Sequence, residues 1–105
     1  MIGKAQLVDV SRVALADFCR RRGIRRLALF GSVLRDDFSS TSDIDVLVEF
    51  EAGRTPGLIG LGTIELELAT LFGGRQIDLH TPASLQEGFR QRVLATAEVQ
   101  FDSGA

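Results

Sequence analysis

Short apolar runs alternate along the chain with longer stretches in which apolar residues recur every three or four positions. Runs of the first kind predict strands and those of the second predict helices packed by one face. The first helical stretch extends to about Arg22, with Asp9 and Ser11 both suited to cap it and Gly23 to stop it. Its expected buried stripe is Val13, Ala14, Phe18 and Cys19. Residues 25–30 read as a strand that breaks at Gly31-Ser32, followed by a short helical turn through Val33, Leu34 and Arg35. Residues 36–42 are polar and read as a loop. Residues 44–50 are rich in β-branched side chains and apolar on both faces, which fits a buried central strand. After a second loop over residues 51–57, Leu58, Leu61, Ile64, Leu68, Leu71 and Phe72 mark an amphipathic helix ended by Gly73-Gly74. Residues 76–80 form a third strand. Thr81 or Ser84 then caps a last helix burying Phe89, Val93 and Leu94, and residues 99–101 suit an edge strand.

This order predicts an α/β (α+β) fold: a small mixed β-sheet of three to four strands with helices packed on it. The 105 residues suffice for one hydrophobic core, so residues 1–105 are expected to form a single domain. Apolar residues at 45% and charged residues at 25% give an ordinary globular balance. No apolar run approaches the roughly 20 residues that span a bilayer, and the first residues lack the apolar stretch of a secretory signal. The one cysteine, Cys19, cannot form an internal disulfide and reads as helix packing. A cytoplasmic protein is expected.

A net charge of −2 and a pI near 5.3 argue against nucleic acid as the main partner, and the absence of Trp and Tyr limits stacking on bases. Arg20, Arg21, Arg22, Arg25 and Arg26 cluster around Gly23, where the first three suit the last turn of a helix. Glu49/Glu51 and Glu65/Glu67 are expected to be solvated surface charges. His80, two residues after Asp78, would share its face, which leaves a site role open, but a single histidine is no metal cluster and a structural or surface role is favoured.

The chemistry resides in three places. Asp43 and Asp45, at i and i+2 around the start of a strand, point the same way, and two such carboxylates repel unless a cation lies between them. Magnesium binds a few carboxylate oxygens together with phosphate oxygens, which is what such a pair offers to a nucleotide. Gly31-Ser32 stands at a strand-to-turn junction, where glycine admits close approach of a ligand and the following amides point outward, so these amides and the Ser32 hydroxyl suit a triphosphate. Arg35, one turn on, adds positive charge for the same phosphates. Asp78 sits between Ile77 and Leu79 and faces away from them, consistent with joining Asp43 and Asp45 across the sheet. It suits either a general base or a second metal site. Each feature alone is an ordinary capping or turn motif; their combination is not.

Taken together, Gly31-Ser32-Val33-Leu34-Arg35, then Ser42-Asp43-Ile44-Asp45-Val46-Leu47-Val48, then Asp78 resemble the DNA polymerase β-type nucleotidyltransferase superfamily over about residues 18–101. The length resembles its minimal members, which are often encoded beside HEPN-domain toxins and act as their antitoxins. The resemblance implies Asp43, Asp45 and Asp78 as catalytic metal ligands, and Gly31, Ser32, Arg35 and Ser42 as the nucleotide- and phosphate-binding set. It further implies two magnesium ions, ATP as substrate and transfer of AMP to an acceptor hydroxyl on a HEPN-domain toxin. Asp36-Asp37 departs from the family pattern, where glycine often follows the arginine, and places two acids near a triphosphate. There is no room in 105 residues for the helical acceptor domain of larger relatives. The acceptor, a partner protein or a second copy of the chain is therefore expected to complete the site. Two other readings remain open: an antitoxin that silences its partner by contact alone, with a vestigial site, and a transferase acting on a small aminoglycoside-like molecule.

Overall fold

The computed structural model describes residues 10–34 and 42–104. Within them the chain runs α1 (Arg12–Arg22), β1 (Ile24–Phe30), a 3-10 turn (Gly31–Leu34), β2 (Ile44–Phe50), α2 (Leu58–Leu71) and β3 (Ile77–His80). A second 3-10 turn (Pro82–Ser84), α3 (Glu87–Thr96) and β4 (Glu98–Asp102) complete it. The strands form one mixed sheet in the order β3-β2-β1-β4. β1 is antiparallel to β2 and β4, whereas β2 and β3 are parallel. Parallel neighbours need a long crossover, and α2 supplies it. Three helices on a four-stranded mixed sheet match the fold class expected from the hydrophobic pattern.

The pleat of β2 explains why that strand is apolar on both sides. Ile44, Val46 and Val48 join Leu27, Leu29 and Ile77 on one face, against Leu15 and Phe18 of α1 and Ile64 and Leu68 of α2. Leu47 lies on the other face in a smaller cluster with Phe30, Leu85 and Val93. Alternation therefore places Asp45, between Ile44 and Val46, on the thinly covered face. The same parity in β3, where Ile77 and Leu79 pack into the main core, puts Asp78 and His80 on that face too.

Local signals set the helix ends. Ser11 accepts the Ala14 N–H at 3.2 Å and caps α1; Asp9 lies outside the described residues. Gly23 ends α1 with φ +70°, its N–H directed to the Arg20 and Cys19 carbonyls. Rotation of α1 differs from expectation: Leu15, Phe18 and Cys19 are buried, Ala14 is half-buried and Val13 is 82% exposed. Burial pushes the Cys19 thiol up to about 12, which leaves it a packing group. In α2, Ile64, Leu68 and the following Phe72 are buried, but Leu58 is exposed and Leu61 and Leu71 only half-buried. α3 begins later than expected, with Gln86 at its N-cap. Thr81 and Ser84 are used in the preceding turn, where Ser84 Oγ accepts from the Thr81 N–H and donates to the Thr81 carbonyl. Val93 is consequently the buried residue of α3, while Phe89 and Leu94 are partly exposed.

The acids expected to be free on the surface have partners supplied by neighbouring elements. Glu49 accepts from Arg25 at 2.7 Å, Glu67 pairs with Arg22 across α1 and α2, and Glu65 accepts the Leu79 N–H at 3.1 Å. No helix among the described residues is long and apolar enough to cross a membrane.

Leu68→Ala should cost about 2–5 kcal/mol, because a fully buried side chain would leave a cavity between α2 and the sheet. Leu66→Ala, on the exposed side of the same helix, should stay within about 0.5 kcal/mol. Urea unfolding midpoints test the pair, and equal losses would contradict the assigned faces.

Candidate active site

Parallel pairing of β2 and β3 sets Asp45 opposite Asp78 and, two residues on, Leu47 opposite His80. His80 Nε2 lies 4.0 Å from Asp45 Oδ1 and 3.8 Å from Asp78 Oδ2. One donor atom from each of Asp45, Asp78 and His80 falls within 4.8 Å of the others. Phe30, the register partner of Asp45 on β1, meets the His80 ring edge-on with centroids 5.4 Å apart. Asp45 and Asp78 thus converge, and His80 joins them. The strand parity that paired Asp43 with Asp45 also pairs Asp78 with His80, but one histidine in a sequence does not mark a cluster.

Asp43 is exposed just ahead of β2, and its carboxylate lies outside the converging group. Its backbone carbonyl accepts from Ser32 Oγ at 2.8 Å. The Ser42 carbonyl accepts from Arg75 at 2.7 Å, and the Ile44 N–H donates to the Gln76 carbonyl at 2.9 Å. The segment 42–45 is therefore tied both to the turn after β1 and to the approach to β3. Arg35, Asp36 and Asp37 lie outside the described residues.

Gly31 adopts φ +72°, and a Cβ there would sit 2.3 Å from Asp45 Oδ2. No other residue type fits without displacing that carboxylate. The next amide, Ser32 N–H, points at the same oxygen from 3.4 Å. The Gly31-Ser32 turn, read from sequence as a phosphate cradle, thus also seats an acid.

Partial burial raises the Asp45 pKa above the ordinary carboxylate value. The Ser32 N–H opposes this, Asp78 adds to it, His80 opposes it and Asp43 adds a smaller increment. A carboxylate that resists ionisation beside two others is relieved by a cation. Two carboxylates with their oxygens convergent fit a divalent ion. Beside Gly31 a groove of about 320 Å³ opens between Phe30, Leu34, Phe89, Arg92 and Val93, within the size range of small-molecule sites.

In protein free of metal, the raised pKa means that the folded state holds a proton the unfolded chain releases. This contribution to stability is fully present below about pH 3.9 and is lost as pH rises through the higher folded value. Asp45→Asn removes the loss and keeps an acceptor for Ser32. It should therefore melt above the parent protein at neutral pH in chelator, with the advantage vanishing in acid. A lower melting temperature at neutral pH would refute burial of charge as the cause. Gly31→Ala should cost about 1–3 kcal/mol in urea unfolding. An unchanged midpoint would mean that Asp45 yields freely.

Four similarities place this chain among known proteins. A family profile for the nucleotidyltransferase domain matches residues 12–99. The protein adenylyltransferase MntA of Thermococcus cleftensis is 38% identical over 74 residues, which span 70% of this chain and 72% of that protein. The solved structure of a candidate minimal nucleotidyltransferase is 38% identical with a TM-score of 0.67, over 82% of this chain and 85% of that one. A toxin–antitoxin structure with AMP-PNP shares the fold at 20% identity and a TM-score of 0.70, over 89% of this chain and 74% of that one. With the convergent acids and the Gly-Ser turn in place, the chain belongs to the nucleotidyltransferase domain family, among its minimal, MntA-like members.

Proposed function

We propose that the protein is a divalent-cation-dependent adenylyltransferase that moves AMP from ATP onto a hydroxyl of a HEPN-type toxin and thereby acts as its antitoxin. The observation that carries this reading is Asp45 set beside Asp78 on the parallel β2–β3 pair, on the sheet face that α1 and α2 leave open. Asp43, Asp45 and Asp78 would hold magnesium, two ions in the full reading, which when bound withdraws charge from the phosphates and the attacking oxygen. Gly31 and Ser32 hold Asp45 in place, and Gly31 borders the groove in which the nucleotide would lie. Ser42 fixes the strand start, and Arg35 would add charge for the phosphates. The acceptor oxygen attacks the α-phosphorus in line, a P–O bond forms and pyrophosphate leaves. Two roles suit the exposed Asp78: taking the hydroxyl proton as general base, or completing a second cation site. The protein contributes position and charge rather than a covalent intermediate.

A protein acceptor is favoured over a small molecule by the surface. Leu58, Ile59 and Leu66 of α2 are 88%, 89% and 73% exposed, and on α3 Leu94 is exposed as well as Phe89, which lines the groove. Apolar surface of this kind marks contact with another macromolecule. The name of the Thermococcus relative, a protein adenylyltransferase, and the toxin–antitoxin setting of the AMP-PNP structure agree with this reading. The reading places the protein in the cytoplasm, where ATP is available. The same α2 surface also favours a second reading, silencing by contact alone.

Purified protein should gain roughly 2.7 kcal/mol of stability at 100 times the dissociation constant of its ligand, and only when ATP and magnesium are both present. With labelled ATP and the toxin, label should pass to the toxin. Asp43→Asn or Asp45→Asn should cut this transfer about 100-fold or more. Acid variants that no longer transfer but still silence the toxin would establish the contact reading; full transfer by either variant would end the enzymatic one.

A further inference from the structure

His80 has no part in a three-acid site, yet its surroundings are built. It is the one histidine of the chain, with its side chain 28% exposed. Phe30 braces its ring edge-on, and Phe30 is itself anchored by Leu47, Leu85 and Val93. Nε2 stands 4.0 Å from Asp45 Oδ1 and 3.8 Å from Asp78 Oδ2, nearly equidistant from both acids and too far from either for a hydrogen bond. An imidazole serving only as a partner to one carboxylate would close on it to about 2.7–3.2 Å. Standing off both acids, it nonetheless keeps a donor atom within 4.8 Å of one from each of them. Two ligands on one cation, each about 2.0–2.2 Å from it, lie at most about 4.4 Å apart, and both imidazole separations fall within that limit.

Resting on the reading of Asp45 and Asp78 as cation ligands, we propose that His80 Nε2 is a further ligand of the same cation, so that the site selects Mn2+ or Zn2+ over Mg2+. Carboxylate oxygens bind all of these ions, whereas an imidazole nitrogen strengthens binding of transition cations and adds little for magnesium. The register of β2 and β3 supplies the placement: Leu47 opposite His80 puts the imidazole one step along the same face from the Asp45–Asp78 pair. Phe30 then restrains the ring through its edge-on contact.

Because the chain has a single histidine, its ring nitrogens give the only imidazole signals in a 15N spectrum. Zn2+ added to labelled protein should move the Nε2 resonance to a metal-bound position, with the proton retained on Nδ1. Mn2+ affinity, followed by electron paramagnetic resonance, should fall about 10–100-fold in His80→Ala, while Mg2+ affinity should change less than about threefold. His80→Asn serves the same purpose if alanine loosens the Phe30 contact. His80→Asp should bind Mg2+ at least as well as the parent and lose the preference for Mn2+. Binding of Zn2+ that depends on Asp45 but leaves both ring nitrogens unmoved would overturn the proposal. Binding of Mg2+ and Zn2+ that survives Asp45→Asn would instead overturn the acid reading on which it rests.

Discussion

The register of one parallel strand pair governs this molecule. Setting Asp45 against Asp78 brings two carboxylates to adjacent strands on one sheet face, where partial burial makes the charge of Asp45 costly. Like charges so placed would push the strands apart if the pair were free to slip. A slip of one residue would exchange the faces of β3 and bury Asp78 in place of Ile77. The apolar residues that flank each acid therefore hold the acids together: Ile44 and Val46 around Asp45, Ile77 and Leu79 around Asp78, all packed against the main core. The α2 crossover makes the pairing parallel, and only parallel pairing in this register sets Asp78 beside Asp45 and His80 one step along the same face.

Unequal covering of the two faces follows from the same need. Among the described residues, the face toward α1 and α2 carries a continuous buried cluster from Leu15 to Phe101, whereas the acid face has a smaller one of Phe30, Leu47, Leu85 and Val93 at one end. The thick face can offset local strain on the thin one. One such strain is visible: Asp45, held with a raised pKa beside the closely packed Gly31 turn. Asp45 lies where a bound cation would supply counter-charge.

Much of this was legible in the chain, and the failures have common causes. β2 was read in full because seven residues apolar on both faces have few other uses in a soluble domain. Strand parity set Asp78 on the face opposite Ile77 and Leu79, consistent with its joining Asp45, but the pairing of β3 with β2 that brings them together was not legible. Helix rotation was less legible: Val13 and Leu15 are both apolar, and only packing of α1 against β1 and β4 decides which is buried. The start of α3 was missed because Thr81 and Ser84 carry the chemistry of a helix cap but bond to each other around Pro82. Glu49, Glu65 and Glu67 looked like surface charges because their partners are distant in sequence: Arg25, the Leu79 amide and Arg22. His80 followed the parity rule that located Asp78, but a lone histidine gives no spacing to read.

Glu65 shows how the site is closed off laterally. β3 is an edge strand of four residues, and an open edge invites pairing with another chain. Glu65 reaches from α2 to accept the Leu79 N–H, the amide between Asp78 and His80. The bond occupies an outward donor of β3 at the point where the site residues alternate with core residues. It thereby keeps a foreign strand from docking there and twisting Asp78 away from Asp45. On the opposite edge, Arg12 donates to the Gln100 carbonyl of β4 and Arg26 pairs with Asp102. With charged side chains stationed at both edges, a protein partner is left the helical surfaces, where Leu58, Ile59 and Leu66 on α2 and Phe89 and Leu94 on α3 are exposed. Of these, Phe89 both lines the groove beside Gly31 and stands 6.3 Å from Phe30, whose ring meets His80. Pressure on α3 would thus be felt along the aromatic chain from Phe89 through Phe30 to His80, which ends beside the acids.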